Sequence, residues 1–186
     1  MYVLKTAATS EPVTLAEVKS HMKVYINDDD EYISSLITAA REKYEADTLR
    51  QIMEATWQLY LDRFTSQVNI ERCPVKSIES VKYNDSGSQE QTMTKDTDYY
   101  SDVLSEPGKV RFVNMPATDG RPNAICIEFK AGETNRANVA ETDRHAIRLL
   151  AAHWYELRQP VITGMTLASV PITYDTLVEL RRIPRI

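Results

Sequence analysis

Apolar positions recur at helical spacing near both ends of the chain and at spacing two between them. The cleanest amphipathic stretch is Ala140–Pro160. There Ile147, Leu150, Ala151, Trp154 and Leu157 make one apolar face, with Arg144, Arg148 and Glu156 largely off it. Thr142 reads as the N-cap, and Glu141 and Asp143 sit where the helix dipole favours negative charge. Pro160 supplies the stop, because it lacks an N–H and disfavours helical geometry in the preceding residue. A second helix is expected over Glu31–Asp47, with Ile33, Leu36, Ile37, Ala40 and Tyr44 as its stripe. Arg41, Glu42, Lys43 and Glu45 read as its solvated face. Thr14-Leu15-Ala16-Glu17 fits a capping box and predicts a short helix over Leu15–Met22, with Leu15, Val18 and Met22 inward. A last short helix is expected over Tyr174–Arg182, after an irregular, fairly apolar Val161–Pro171. Met1–Ser10 reads as a short extended arm, and Leu49–Ala55 as a connection with room for a helical turn.

At Thr56 the period changes. Trp57, Leu59 and Leu61 alternate with Gln58, Tyr60 and Asp62, the pattern of a half-buried strand. Strand-like pieces follow at Gln67–Glu71, Ser77–Asn84, Thr92–Thr94, Tyr99–Val103, Val110–Val113 and Ala124–Lys130. Asp85-Ser86-Gly87-Ser88 has hairpin-turn chemistry. Glu106-Pro107-Gly108-Lys109 fits a type II turn, with Pro second and Gly third. The expected fold class is therefore α+β. A small helical bundle from residues 1–55 and 131–186 carries an inserted, mostly antiparallel β module over residues 56–130.

Composition narrows the function classes. The 186 residues carry a formal net charge of −5, which argues against nucleic-acid binding through overall basicity. No apolar run approaches the ~20 residues that cross a bilayer, and the first fifteen residues do not read as a signal peptide. A cytoplasmic site of synthesis and no membrane partner are expected. The two cysteines, Cys73 and Cys126, read as reduced, buried thiols.

Candidate chemistry is sparse. Asn27-Asp28-Asp29-Asp30-Glu31 lacks the alternating ligands and central Gly of a calcium loop, and reads as a helix start with Asp29 or Asp30 as N-cap. His145 and His153 lie two helical turns apart, too far to share a metal directly. Neither His-Glu-x-x-His, Cys-x-x-Cys, Gly-x-Ser-x-Gly nor a Gly-rich phosphate loop is present. No catalytic residue, metal or cofactor is expected. Trp154 shares a face with Ile147 and Leu150 and reads as core, whereas Tyr155 points elsewhere and suits a partner contact. Ten tyrosines fit surfaces buried on assembly. Two alternatives stay open at this level: a small monomeric binding or regulatory module encoded in a prophage, and a small hydrolase using His153 and Glu156.

Seven segments, in order, carry a family resemblance. They are Glu11–Lys19; Asp29–Ile33 running into Ile37–Glu42; Thr56–Asp62; Pro74–Tyr83; Pro107–Val110; Ile127–Gly132; and Ala151–Glu156 with Pro171 downstream. Together the chain resembles the head–tail connector (adaptor) proteins of tailed bacteriophages and prophages, in the long form that carries a β module. One departure is Asp47-Thr48-Leu49-Arg50, with Leu where the family commonly has Gly in the turn. The resemblance implies a structural virion protein rather than an enzyme. It implies a homo-oligomeric ring of about twelve subunits under the portal. That ring extends the DNA channel and gives head-closure or tail proteins a platform. DNA would pass without sequence-specific binding. In this setting the candidate partner-binding residues are Tyr155, Tyr174, Leu177, Leu180, Arg181, Arg182 and Arg185.

Overall fold

The computed structural model describes residues 1–157 and 172–183. It is an α+β chain that divides into two compact units. The β unit takes Met1–Thr9 and Glu54–Glu133; the helical unit takes Ser10–Met53 and the described residues from Thr134 onward.

In the β unit, β1 (Tyr2–Thr6), β2 (Ala55–Leu61), β4 (Val75–Asn84), β5 (Glu90–Thr92) and β8 (Ile125–Ala131) form one antiparallel sheet in the order β1-β2-β8-β4-β5. A second antiparallel sheet has the order β3-β7-β6, from Gln67–Ile70, Gly108–Phe112 and Tyr99–Asp102. β8 explains the burial. Ile125, Ile127, Phe129 and Ala131 are fully buried, while Cys126, Glu128 and Lys130 alternate outward. Leu59 and Val81 from the same sheet meet Val68, Ile70, Val110 and Phe112 from the other in a single core.

The first residues are a strand, not a free arm. Tyr2 pairs in register with Leu59 and packs its ring edge-on to Phe129 at 6.3 Å. Its hydroxyl accepts from the Glu71 amide at 2.9 Å. Burial pushes this phenol up to about 12. On the outward face Lys5 reaches Glu128 across β2. An outward lysine is one of the devices that protect an edge strand from pairing with another chain.

The Asp85 turn forms as expected: the Asp85 carboxylate accepts from the amides of Gly87 at 2.9 Å and Gln89 at 3.1 Å. The Glu106–Lys109 stretch differs. Gly108 opens β7 and is not among the residues with positive φ, so no type II turn forms there; the Glu106–Pro107 bond is cis. Glycine is required by close approach instead. A Cβ at Gly108 would lie 2.7 Å from Val75 Cγ2 and 3.2 Å from Val75 Cβ. Gly108→Ala is expected to cost about 1–3 kcal/mol by overpacking, measured by chemical denaturation. A change below ~0.5 kcal/mol would show that β4 moves aside freely.

The helical unit contains α1 (Leu15–Met22), α2 (Asp30–Thr48), α3 (Glu141–Glu156) and α4 (Ile172–Arg181). The capping box before α1 is complete. The Thr14 amide donates to Glu17 Oε2 at 2.6 Å, and the Glu17 amide to Thr14 Oγ1 at 3.2 Å. The Thr14 amide is also the main reason the Glu17 carboxyl lies below its usual 4.5. A depressed carboxyl adds stability above its unfolded value, and that increment is lost as pH falls through the folded one. Thr14→Ala keeps the Thr14 amide but removes the hydroxyl, which donates to Glu17 Oε2 at 2.9 Å and accepts from the Glu17 amide, and is expected to cost ~1 kcal/mol near neutrality. In a denaturation series, the deficit should narrow once pH drops below 4.5.

Three helical expectations need correction. Arg41 and Glu45 are not solvated; they are 6% and 7% exposed and bonded to each other. Thr142 does not cap α3. Ala140 holds the N-cap position with no side-chain bond, and Thr142 is exposed in the first turn. Trp154 is half-buried, while Ile147, Leu150 and Ala151 are core. Leu49 adopts the left-handed conformation at φ 61° and closes α2. No helical turn follows it before β2. Pro160 and Val161–Pro171 lie outside the described residues.

Candidate functional site

The residues singled out for partner contact fall mainly on α4 and at the end of α3. α4 forms with Tyr174 and Val178 one turn apart on its inner side, both buried, and Ile183 just beyond it also buried. The Tyr174 hydroxyl donates to Asp47 Oδ2 at 2.9 Å, and its ring lies edge-on to Tyr44 at 6.2 Å. Burial, then the Asp47 carboxylate, pushes the Tyr174 phenol well up. Arg181 grips Asp143 with two bonds, at 2.8 and 3.0 Å. Asp143, 3% exposed, also accepts the Tyr44 hydroxyl at 2.7 Å. Past the helix end, the Ile183 amide donates to the Thr48 carbonyl at 3.0 Å, and Arg50 Nε to the Arg181 carbonyl at 2.7 Å.

Tyr174 and Arg181 therefore hold α4 against its own unit. Leu177 is half-buried, Leu180 is 72% exposed, and Arg182 is exposed. Arg185 lies outside the described residues. Tyr155, half-buried, donates to Asp29 Oδ2 at 2.7 Å and stands 6.3 Å from Tyr32. Asp29, at the N-cap position of α2, makes no side-chain cap bond and receives this phenol instead. His153 is half-buried and Glu156 exposed in the last turn of α3.

The structure also presents apolar groups that the sequence patterns do not single out. Tyr25 and Ile26, in the loop between α1 and α2, are 86% and 58% exposed. In the β unit Leu104 is 94% exposed at the turn between β6 and β7. That turn is held from below, because Asp102 Oδ1 accepts the amides of Leu104 at 2.9 Å and Ser105 at 3.1 Å. A signal for it exists in the sequence: Asp102 with Ser105 three residues on is an Asx-turn pattern, and the lone Leu inside it has no strand or helix period. Among the described residues no cluster of three or more His, Cys, Asp or Glu could hold a metal ion. No described helix is long and apolar enough to cross a membrane.

The sequence model of the phage gp6-like head-tail connector family matches residues 12–106, from the start of α1 into the β6–β7 turn. The chain belongs to that family. The connector's fold also matches solved neck structures over its whole length. Against "Neck of empty GTA particle computed with C6 symmetry" the TM-score is 0.79 at 22% identity. Against "Virion of native gene transfer agent (GTA) particle" it is 0.82 at 20%, and against "Neck of native GTA particle computed with C12 symmetry" 0.76 at 22%. In all three the alignment covers 100% of the connector and 97% of the other chain. A search of curated proteins gives no match. The family is one of head-tail connector proteins, which points away from an enzyme, and the neck structures share its fold.

Proposed function

We propose that this connector acts in a virion neck as a ring of identical subunits beneath the portal, extending the DNA channel and seating head-closure or tail proteins. The full-length likeness to chains from C6 and C12 neck structures carries this reading. In a ring each subunit offers two different faces, so the contacts are heterologous and close by rotation. Exposed apolar groups on ordered scaffolds suit such contacts. The net charge of −5 suits a channel that repels phosphate, which allows DNA to slide.

For the portal contact we select the outer side of α4. Tyr174 and Arg181 are committed inward, which leaves Leu180, with Leu177 and Arg182, as the groups a partner can bury. The test is light scattering on a sizing column, with the protein alone and with its cognate portal. Co-elution at ring stoichiometry is expected; a monomer in both runs would overturn the reading. Leu180→Asp should weaken portal co-elution by about tenfold or more if Leu180 is an interface anchor. Its melting temperature should stay near wild type, since the side chain is largely in solvent. Unchanged co-elution by this variant would remove α4 from the portal contact and leave ring formation untouched.

A further inference from the structure

Along α3 the nearest histidine to His145 is two turns away, yet the fold brings His145 a partner from another helix. His21, in the last turn of α1, has its ring centre 6.1 Å from that of His145, with the planes at 89°. Both side chains are exposed.

This separation lies within the range that two imidazoles span when they share one ion. Zinc-type ions bind imidazole nitrogen at about 2.0–2.1 Å, so two rings on one ion have centres roughly 5 Å apart when tetrahedral and ~6.4 Å when opposed. Small rotations of two exposed rings bridge the difference. The carboxylates one turn before each histidine are already committed. Glu17 and Glu141 both pair with Arg144, and Glu141 also pairs with Arg148. That agrees with the lack of any three-residue metal cluster among the described residues, and leaves solvent to complete the coordination.

We propose that His21 and His145 form a two-histidine site for a borderline transition-metal ion, Zn²⁺, Ni²⁺ or Cu²⁺, which pins α1 to α3. Imidazole donors select these ions over Mg²⁺ and Ca²⁺, which prefer oxygen. The pin has a mechanical reason to matter. Val18 is the one residue of α1 that is buried, and the helix is otherwise tied to α3 through Arg144, which bonds Glu17 and the Pro12 carbonyl.

The test uses the full chain without an affinity tag, titrated calorimetrically with NiCl₂ and ZnCl₂. One ion per chain is expected. Binding should weaken at least tenfold in both His21→Ala and His145→Ala and stay unchanged in His153→Ala. A millimolar excess of ZnCl₂ should raise the melting temperature by a few degrees in wild type but not in His21→Ala, because an ion that binds only the folded state stabilises it. MgCl₂ should do nothing. Circular dichroism on each variant separates lost binding from lost fold. Wild-type binding in His21→Ala or His145→Ala, absent binding in the wild type, or loss confined to His153→Ala would each overturn the site.

Discussion

Arg41→Met is expected to destabilise the helical unit by about 3 kcal/mol or more at neutral pH, because it strands a buried carboxylate. Arg41 Nε donates to Glu11 Oε2 at 2.8 Å and its Nη1 to Glu45 Oε2 at 3.0 Å. The other Glu45 oxygen accepts from Gln51 Nε2 and from the Ile52 amide, both at 2.9 Å. Burial raises the Glu45 carboxyl, with Arg41 the main force pulling it back down. Arg41 itself is shifted upward: burial alone would lower it, but Glu11 and Glu45 more than offset that. Met keeps most of the volume and removes the charge, so Glu45 rises further. A carboxyl raised above its unfolded value favours folding most at low pH, and this contribution is lost as pH climbs through the folded value. The deficit of Arg41→Met should therefore shrink as pH falls from neutrality toward the ordinary carboxylate value of 4.5. Adding Glu45→Gln should recover much of it, since the amide oxygen can still accept from Ile52. A urea series showing less than ~1 kcal/mol lost, or a deficit that grows on acidification, would show that Glu45 reaches water.

Period explains what the sequence could and could not show. Where one face is buried, the pattern is local. Ile33, Ile37, Ala40 and Tyr44 at helical spacing, and Ile125, Ile127 and Phe129 at spacing two, belong to the elements they predict. The capping box at Thr14 and the Asp85 turn are legible for the same reason, since every partner lies within a few residues. What the pattern misses is set by distant partners. Arg41 and Glu45 look like a solvated helix face until Glu11, thirty residues earlier, is folded beside them. Gly108 looks like a turn glycine because the side chain that needs its missing Cβ is on β4. Tyr2 looks like part of an arm until Phe129 and the Glu71 amide close on it.

The candidate contact residues divide along the same line. Residue type favours Tyr155, Tyr174 and Arg181, because tyrosine and arginine are enriched at binding hot spots and leucine is not. Geometry orders them differently: those three bond within the helical unit, and Leu180 faces solvent. Tyr25 and Ile26, in a three-residue apolar run, and Leu104, inside an Asx turn, have no helix or strand period, and their exposure on an ordered backbone is what marks them as candidate contacts.

Asp143→Ala tests whether α4 is part of the folded unit or a free docking arm. Asp143 sits in the first turn of α3, where the helix dipole also favours its charge. Its carboxylate joins three elements, accepting one hydrogen bond from the Tyr44 hydroxyl on α2 and two from the Arg181 guanidinium on α4. Burial, and then this carboxylate, pushes the Tyr44 phenol far above its usual range, so the hydroxyl stays a donor throughout the folded pH range. Charged hydrogen bonds contribute ~1.5–3 kcal/mol each, and losing one partner of a buried pair costs ~3–5 kcal/mol. Arg181 is 32% exposed and can turn to solvent, which discounts the upper figure. A loss of about 2–4 kcal/mol is expected on chemical denaturation. Amide exchange at Ile183, whose N–H donates to Thr48, should accelerate together with that of α4. Asp143→Asn should fall between, keeping an acceptor for Tyr44 but not the charge for Arg181. If α4 exchanged fast already in the wild type and Asp143→Ala changed neither reading, the helix would be a free arm. Tyr174 and Arg181 would then return to the set of groups available to the portal.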